Sequence, residues 1–465
     1  MADEFDRLLA GLPRRRVLVV SDRYPPDEGG GAERSLHLLL REPRLRDQAM
    51  VVTFEKGASA PLRRKVEGVD ALVLPAFAAW PLHRLTQAEV NRLKRRPFGL
   101  KWLAFARQAA AELAEAPPER AEAFAARYLA RPPGGVAMTH RTTPGGGHEQ
   151  ALVRIIAQVR PELIHADNAR AIEVAAGAAP AGLPIVAVIR DHRFSTPRFD
   201  QHLEPADAPQ SWAETLAARF ADEALAFRRD RLGRAALTLV ASAHLERLAR
   251  ELLPPAKVRR LPLTPIAPGS ETPEPASGFD VLTVGTLTPK KGQRRLLDLW
   301  PQVLEAVPEA RLHIVGEGSC RRSIEDGIGQ LGLQASVQMH GRAEGEALER
   351  LFADCHVVAL PTAWPEPFGR VALEAGAHGR PVVAYAVGGH AETIVHGETG
   401  LLAPPDDGEA FVSALTALAR DPALRVRLGA AGRERAAAFA PEPLARGLEE
   451  LWDDVVAGGG ARLAG

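Results

Sequence analysis

The sequence predicts an α/β protein of two doubly wound parallel-sheet domains, and three features carry that expectation. At 465 residues the chain is too long for one core and fits two domains of ordinary size. Short apolar runs recur, each ending where polar and glycine-rich residues begin and a helical pattern follows, as when a buried parallel strand hands over to a crossover helix. A stretch rich in Pro, Ser and Glu, APGSETPEPAS at residues 267–277, separates two series of such units.

In the first series a short helical lead is followed by RVLVVSD at residues 16–22, a strand pattern that runs into YPPDEGGGAERS and a helix. PELIHAD, LPIVAVIRD and LTLVASAHLERLARELL repeat the order, so residues 1–270 are expected to form the first domain. Residues 81–147 interrupt it as a helical insertion ending in the glycine-rich loop PPGGVAMTHRTTPGGGH. In the second series FDVLTVG, RLHIVGEG, SVQMHG, HVVALP and PVVAYAVGG are strands with amphipathic helical stretches between them, giving a second domain over 271–440. PEPLARGLEELWDDVVAG, within 441–465, is one more helix, expected to cross back to the first domain.

Composition narrows the function classes. Lys plus Arg equals Asp plus Glu at 58 each, which removes the broad positive field of a nucleic-acid binder. Cys320 and Cys355 are the only cysteines and form no CxxC pair, so neither a disulfide framework nor a structural zinc site is expected, and a reducing cytoplasm fits. The acidic N-terminus is unlike a signal peptide, and no run of about 18 apolar residues occurs. Residues 92–107 collect Arg92, Lys94, Arg95, Arg96, Lys101 and Arg107 beside Phe98, Trp102 and Phe105. The plainer reading is a helix with a solvated basic side; peripheral contact with an anionic membrane is the alternative.

The stretch that carries most chemistry is EPFGRVALEAGAHGRPVVA. Glu366 follows the strand HVVALP, and Glu374 comes eight positions later. If a helix starts near Gly369, the amides of Phe368, Gly369 and Arg370 point from its N-terminus toward an anion, with Glu374 one turn further in. A carboxylate for sugar hydroxyls beside an amide cradle for phosphate is what a nucleotide-sugar requires.

This pattern resembles the retaining glycosyltransferases of family 4, whose GT-B fold sets two Rossmann-like domains face to face across a cleft. Their paired glutamates match Glu366 and Glu374, and their Gly-Gly-x-x-Glu matches Gly388, Gly389 and Glu392. The resemblance implies that Glu366 contacts the transferred sugar, Glu374 the ribose, and the amides near Gly369 the diphosphate. VGTLTPKKGQRRLL matches a second family segment through Gly285, Lys291 and Gly292, but Thr286 stands where the family has a diphosphate-binding Arg. One cation is therefore missing unless Lys290, Arg294 or Arg295 replaces it. Gly30 and Gly31 match a glycine pair that approaches the donor phosphates, Gly316 and Gly318 of IVGEGSC match the loop shaping the nucleotide pocket, and in HADN His165 and Asp167 stand at the family's sugar-contacting His-x-His. Asp191 and His192 close a further strand in the same manner.

No Asp-x-Asp, HExxH or Cys/His cluster occurs, so no metal or other cofactor is expected, and the nucleotide-sugar is a co-substrate. The resulting expectation is a retaining, metal-independent transferase with an unspecified acceptor. A non-catalytic sugar-nucleotide-binding or regulatory protein, and a sugar-nucleotide epimerase, are its rivals.

Overall fold

The structure, a computed structural model, describes residues 2–26, 31–55, 58, 60–75, 147–196, 225–265, 273, 275, 277–362 and 364–458. The expected insertion over 81–147 and the basic segment 92–107 lie outside these residues, apart from Gly147. The chain divides into two units: Met1–Ala241 with Leu245–Leu261 and Ala445–Gly465, and Pro262–Leu444 with Ser242–His244. The division at Leu261/Pro262 falls nine residues before the expected 270/271, because Leu263 and Thr264 are already buried ahead of the linker. The last helix, Pro441–Val456, lies largely within the final segment of the first unit.

The first unit holds an eight-stranded sheet. Its strands are β1 (Val17–Ser21), β2 (Ala49–Glu55), β3 (Leu62–Val66), β4 (Val69–Pro75), β5 (Leu163–Asp167), β6 (Ile185–Ile189), β7 (Leu237–Val240) and β8 (Val258–Arg260), in the order β3-β4-β2-β1-β5-β6-β7-β8. All pairings are parallel except β3 with β4. Every residue of β1, β5 and β6 is buried, which is why these central strands read as continuous apolar runs. β3 is the antiparallel edge, where Arg63, Arg64 and Lys65 keep the strand from pairing with another chain. The order reverses between β1 and β5. There Asp22 accepts the amides of Ala171 (2.6 Å) and Arg170 (3.4 Å), tying the loop after β1 to the helix Ala169–Ala178.

The second unit is a six-stranded parallel sheet of β9 (Phe279–Val284), β10 (Ala310–Val315), β11 (Val337–Gly341), β12 (Val357–Leu360), β13 (Val382–Tyr385) and β14 (Gly400–Ala403), ordered β11-β10-β9-β12-β13-β14. One face packs Trp300, Leu297 and Phe411 over Val281 and Leu312; the other packs Phe352 and Ala375 over Leu282 and Val358. The helix Arg370–Ala377 lies backbone to backbone against Pro422–Ala437. A Cβ on Gly376 would stand 2.6 Å from the Gly432 carbonyl oxygen, and one on Gly429 would strike the carbonyl of Gly379. Asp407 and Asp421 cap the helices Gly408–Arg420 and Pro422–Ala437 through the amides of Ala410 and Leu424, each at 2.9 Å. Both expected parallel sheets are thus present.

Candidate functional site

In the second unit the strand order reverses between β9 and β12, and doubly wound sheets bind ligands beyond the strand ends at such a point. The loops that meet there are Gly285–Gly292 and Pro361–Gly369. Gly292 has φ 74°, and a side chain on it would collide with the Pro361 carbonyl, while the Thr362 hydroxyl donates to the carbonyl of Lys290. The chain thus locks the two loops together without a ligand. Across them Lys291 Nζ donates to Glu366 Oε2 at 2.7 Å, and Lys290 Nζ stands 4.7 Å from the centre of the Trp364 ring.

Glu366 is held from behind by glycine. The Gly389 amide donates to the Glu366 carbonyl at 2.6 Å, and a Cβ on Gly388 or Gly389 would strike the backbone of Glu366 or Phe368. Gly369, with φ 91°, is the N-cap of the helix Arg370–Ala377, whose first amides have no intrahelical acceptor. Burial by itself would raise the Glu366 carboxyl, but the charge of Lys291, then that of His390 when protonated, the Lys291 hydrogen bond and Lys290 outweigh it and hold it below the ordinary value. Glu374 is 6% exposed, and Arg370 Nε lies 3.4 Å from its Oε1.

The loop after β10 completes this edge. Leu287 N donates to the Glu317 carbonyl and Gly285 N to that of Val315, each at 3.0 Å. A side chain on Gly316 or Gly318 would meet the carbonyl of Gly285 or Leu287. The structure therefore brings Gly285, Thr286, Lys290, Lys291, Gly316, Gly318, Glu366, Phe368, Gly369, Arg370 and Glu374 to one edge of the second sheet. Phe368 contributes its backbone, since its ring is buried edge-on to Phe439 at 5.9 Å. In this arrangement Arg294 and Arg295 pair with Asp298 and Asp406. The sequence reading overlooked Trp364 and His390, the latter 2% exposed directly after the glycine pair.

Gly30 lies outside the described residues, and Gly31 is the first residue of the helix Gly31–Arg41. His165 has no exposed surface; its Nδ1 accepts from Trp452 Nε1 at 3.2 Å, and burial lowers its pKa to about 4. Asp167 is 1% exposed and holds Arg190 in two hydrogen bonds, 2.9 Å to Nε and 2.5 Å to Nη2. In this arrangement His165 is held by packing against Trp452 and Asp167 by its ion pair with Arg190. Asp191 accepts from Arg193 N at 2.9 Å and caps the turn His192–Phe194, in which His192 is buried.

Residues 270–435 match the family of glycosyl transferases group 1. A sucrose-phosphate synthase from Thermosynechococcus elongatus superposes with a TM-score of 0.67 at 21% identity, over 96% of this chain and 100% of that one. HepE of Anabaena, solved with UDP and glucose, gives 0.61 at 19% identity over 95% and 100%. The fold is GT-B. An uncharacterized glycosyltransferase of Methanocaldococcus jannaschii is 40% identical over 131 residues, 28% of this chain and 33% of that protein. The chain spans less than half the length of the curated relatives it matches most strongly. Among the described residues of this GT-B chain, no helix is long and apolar enough to cross a membrane, and no group of three His, Cys, Asp or Glu is placed to hold a metal ion.

Proposed function

We propose that this chain is a glycosyltransferase that moves a sugar from a nucleoside-diphosphate sugar to an acceptor hydroxyl, retaining the anomeric configuration and needing no metal ion. The observation that carries the reading is the Lys291–Glu366 pair at 2.7 Å, set across the switch-point loops beside the amides that open the helix Arg370–Ala377. As the bond from the anomeric carbon to the diphosphate breaks, negative charge grows on the leaving phosphate. Lys291 and the amides around Gly369 are fixed where they would stabilise it. Glu366 takes the transferred sugar, and Glu374 the ribose hydroxyls. No separate base is assigned for the acceptor; the leaving phosphate takes its proton. The match of residues 270–435 to group 1 glycosyl transferases supports this reading, and the UDP in HepE makes a uridine nucleotide the first donor to try. The cytoplasm is the compartment we assign, where such donors are made and free thiols such as Cys320 and Cys355 persist.

The test is a screen of UDP-, GDP-, ADP- and dTDP-sugars for thermal stabilisation, in which a true donor at about 100 times its Kd stabilises by about 2.7 kcal/mol. Release of nucleoside diphosphate is then followed with acceptors, in the presence of a strong chelator. Turnover in chelator is expected; its loss, with recovery on adding Mg²⁺ or Mn²⁺, would overturn metal independence. Donor binding without release under any acceptor would favour a non-catalytic binding protein.

A further inference from the structure

We propose that His390 takes up a proton when the donor's diphosphate arrives, and so supplies the positive charge that Thr286 does not. The inference rests on the donor site proposed above and goes beyond it by assigning a charge switch to a residue outside the matched glutamates, lysine and glycines.

His390 stands at the cradle itself. A Cβ on Gly369 would lie 2.7 Å from its Cδ2 and 3.5 Å from its Nε2, so the Nε2 edge of the ring backs the turn whose amides face the diphosphate. On the other edge Nδ1 lies 3.3 Å from the Tyr385 carbonyl oxygen. A carbonyl only accepts, so Nδ1 carries the hydrogen and the neutral ring leaves Nε2 bare on the side of the site.

The charges around the ring decide its state. Glu366 and Lys291, paired at 2.7 Å, face it from the two loops and act in opposite directions, Glu366 more strongly. Lys290 lies further off on Trp364, Arg370 and Glu374 pair on the helix behind Gly369, and Arg435 binds the carbonyls of Thr393 and Glu392 beyond the far end of the turn. In the free protein burial holds the ring below its ordinary value, Lys291 adds to this, and Glu366 opposes it. A diphosphate on the Gly369 amides brings two negative charges to within about 4 to 6 Å, where each moves a neighbouring pKa by about one to three units. That drives His390 upward, toward its protonated form. A permanent cation at this position would repel Lys290 and Lys291 in the empty site; a histidine becomes one only when the anion is present.

The proposal is tested by calorimetric titration of UDP-, GDP-, ADP- and dTDP-glucose in buffers of different ionisation enthalpy at pH 7.5. The diphosphate of these donors does not itself titrate near neutrality. The donor that binds is expected to bring between about 0.5 and 1 proton into the complex. His390→Gln should abolish that uptake and weaken binding about tenfold, the equivalent of one pKa unit. Adding Thr286→Arg to His390→Gln should restore affinity but not proton uptake, an outcome that mere loss of packing would not give. On the unaltered protein, affinity should fall as pH rises from 7 to 9. Binding with no proton uptake and no pH dependence overturns the role of His390, as does uptake that survives in His390→Gln. Failure of all four donors to bind refutes the donor site on which the proposal stands.

Discussion

Replacing Lys291 by Met removes the charge that the site presents to a leaving phosphate while keeping most of the side-chain volume. Its Nζ lies 2.7 Å from Glu366 Oε2, with the two side chains 30% and 15% exposed, so solvent screening is incomplete. At an effective dielectric of about 20, the gross attraction of unit charges at that distance is about 6 kcal/mol. Only the part that grows as the bond breaks accelerates the reaction; a single fixed donor to a developing oxyanion contributes about 2.7 to 4 kcal/mol, so kcat should fall by about 10² to 10³. Losing Lys291 also removes the largest influence opposing burial at Glu366, whose carboxyl must then rise. The assay therefore compares steady-state turnover at pH 8, where Glu366 stays ionised, with turnover at pH 5.5. The loss should deepen at the lower pH. Lys291→Arg should retain more activity than Lys291→Met at both. A Lys291→Met enzyme with unchanged kcat at pH 8 would refute the assignment.

Glu374→Ala should raise the donor KM with little effect on kcat, because ribose hydroxyls do not change charge during reaction; an equal fall in kcat and kcat/KM would place Glu374 at the reacting centre instead. Gly369→Ala puts a Cβ at φ 91°, 2.7 Å from His390 Cδ2 and 2.9 Å from Thr393 Oγ1, so chemical denaturation should show a loss of about 1 to 3 kcal/mol together with weaker donor binding. His165 has a folded pKa of about 4 against 6.5 when free, so the unfolded chain binds more protons between those values and stability is lost as pH falls from 6.5 toward 4. His165→Gln should remove about 3 kcal/mol of that pH dependence in denaturant titrations and leave kcat within about twofold; a large fall in kcat would return His165 to the reaction.

The second sheet was legible because its strands are apolar runs that stop at glycine or proline, as at Val284–Gly285 and Leu360–Pro361. Fixed spacing then marked Glu366, Gly369 and Glu374. Residues 49–75 were not read as strands, although β2 and β4 are buried along almost their whole length. Between them β3 carries three consecutive basic residues at an open edge and offers no buried face to mark it as a strand. β14 is only Gly400–Ala403, too short to declare a period. The burial of His165 was hidden for a different reason. Strand position placed it near the mouth of the first sheet, but nothing local indicates that Trp452, 287 positions away, seals its ring. Nothing in the sequence separates His390 from the glycines and Glu392 around it, because what distinguishes it is the Gly369 turn that it lies against through space.

The same contacts explain why charge is the variable left to this site. At Gly292, Gly316, Gly388 and Gly389 any side chain would meet a neighbouring backbone, so the loops after β9, β10, β12 and β13 fit only in one close arrangement. Lys291 and Glu366 are then held in place before a donor arrives, and little reorganisation remains to be made during the reaction. The nearby Arg294 and Arg295 pair at the surface with Asp298 and Asp406. What can still change without moving the backbone is protonation, and beside the Gly369 turn the ordinary pKa of His390 is the one nearest neutrality. Loop rigidity and a proton-dependent cation therefore fit together in the proposal: Lys290 and Lys291 are the standing charges of the fixed loops, and His390 adds one by protonation without movement of the backbone.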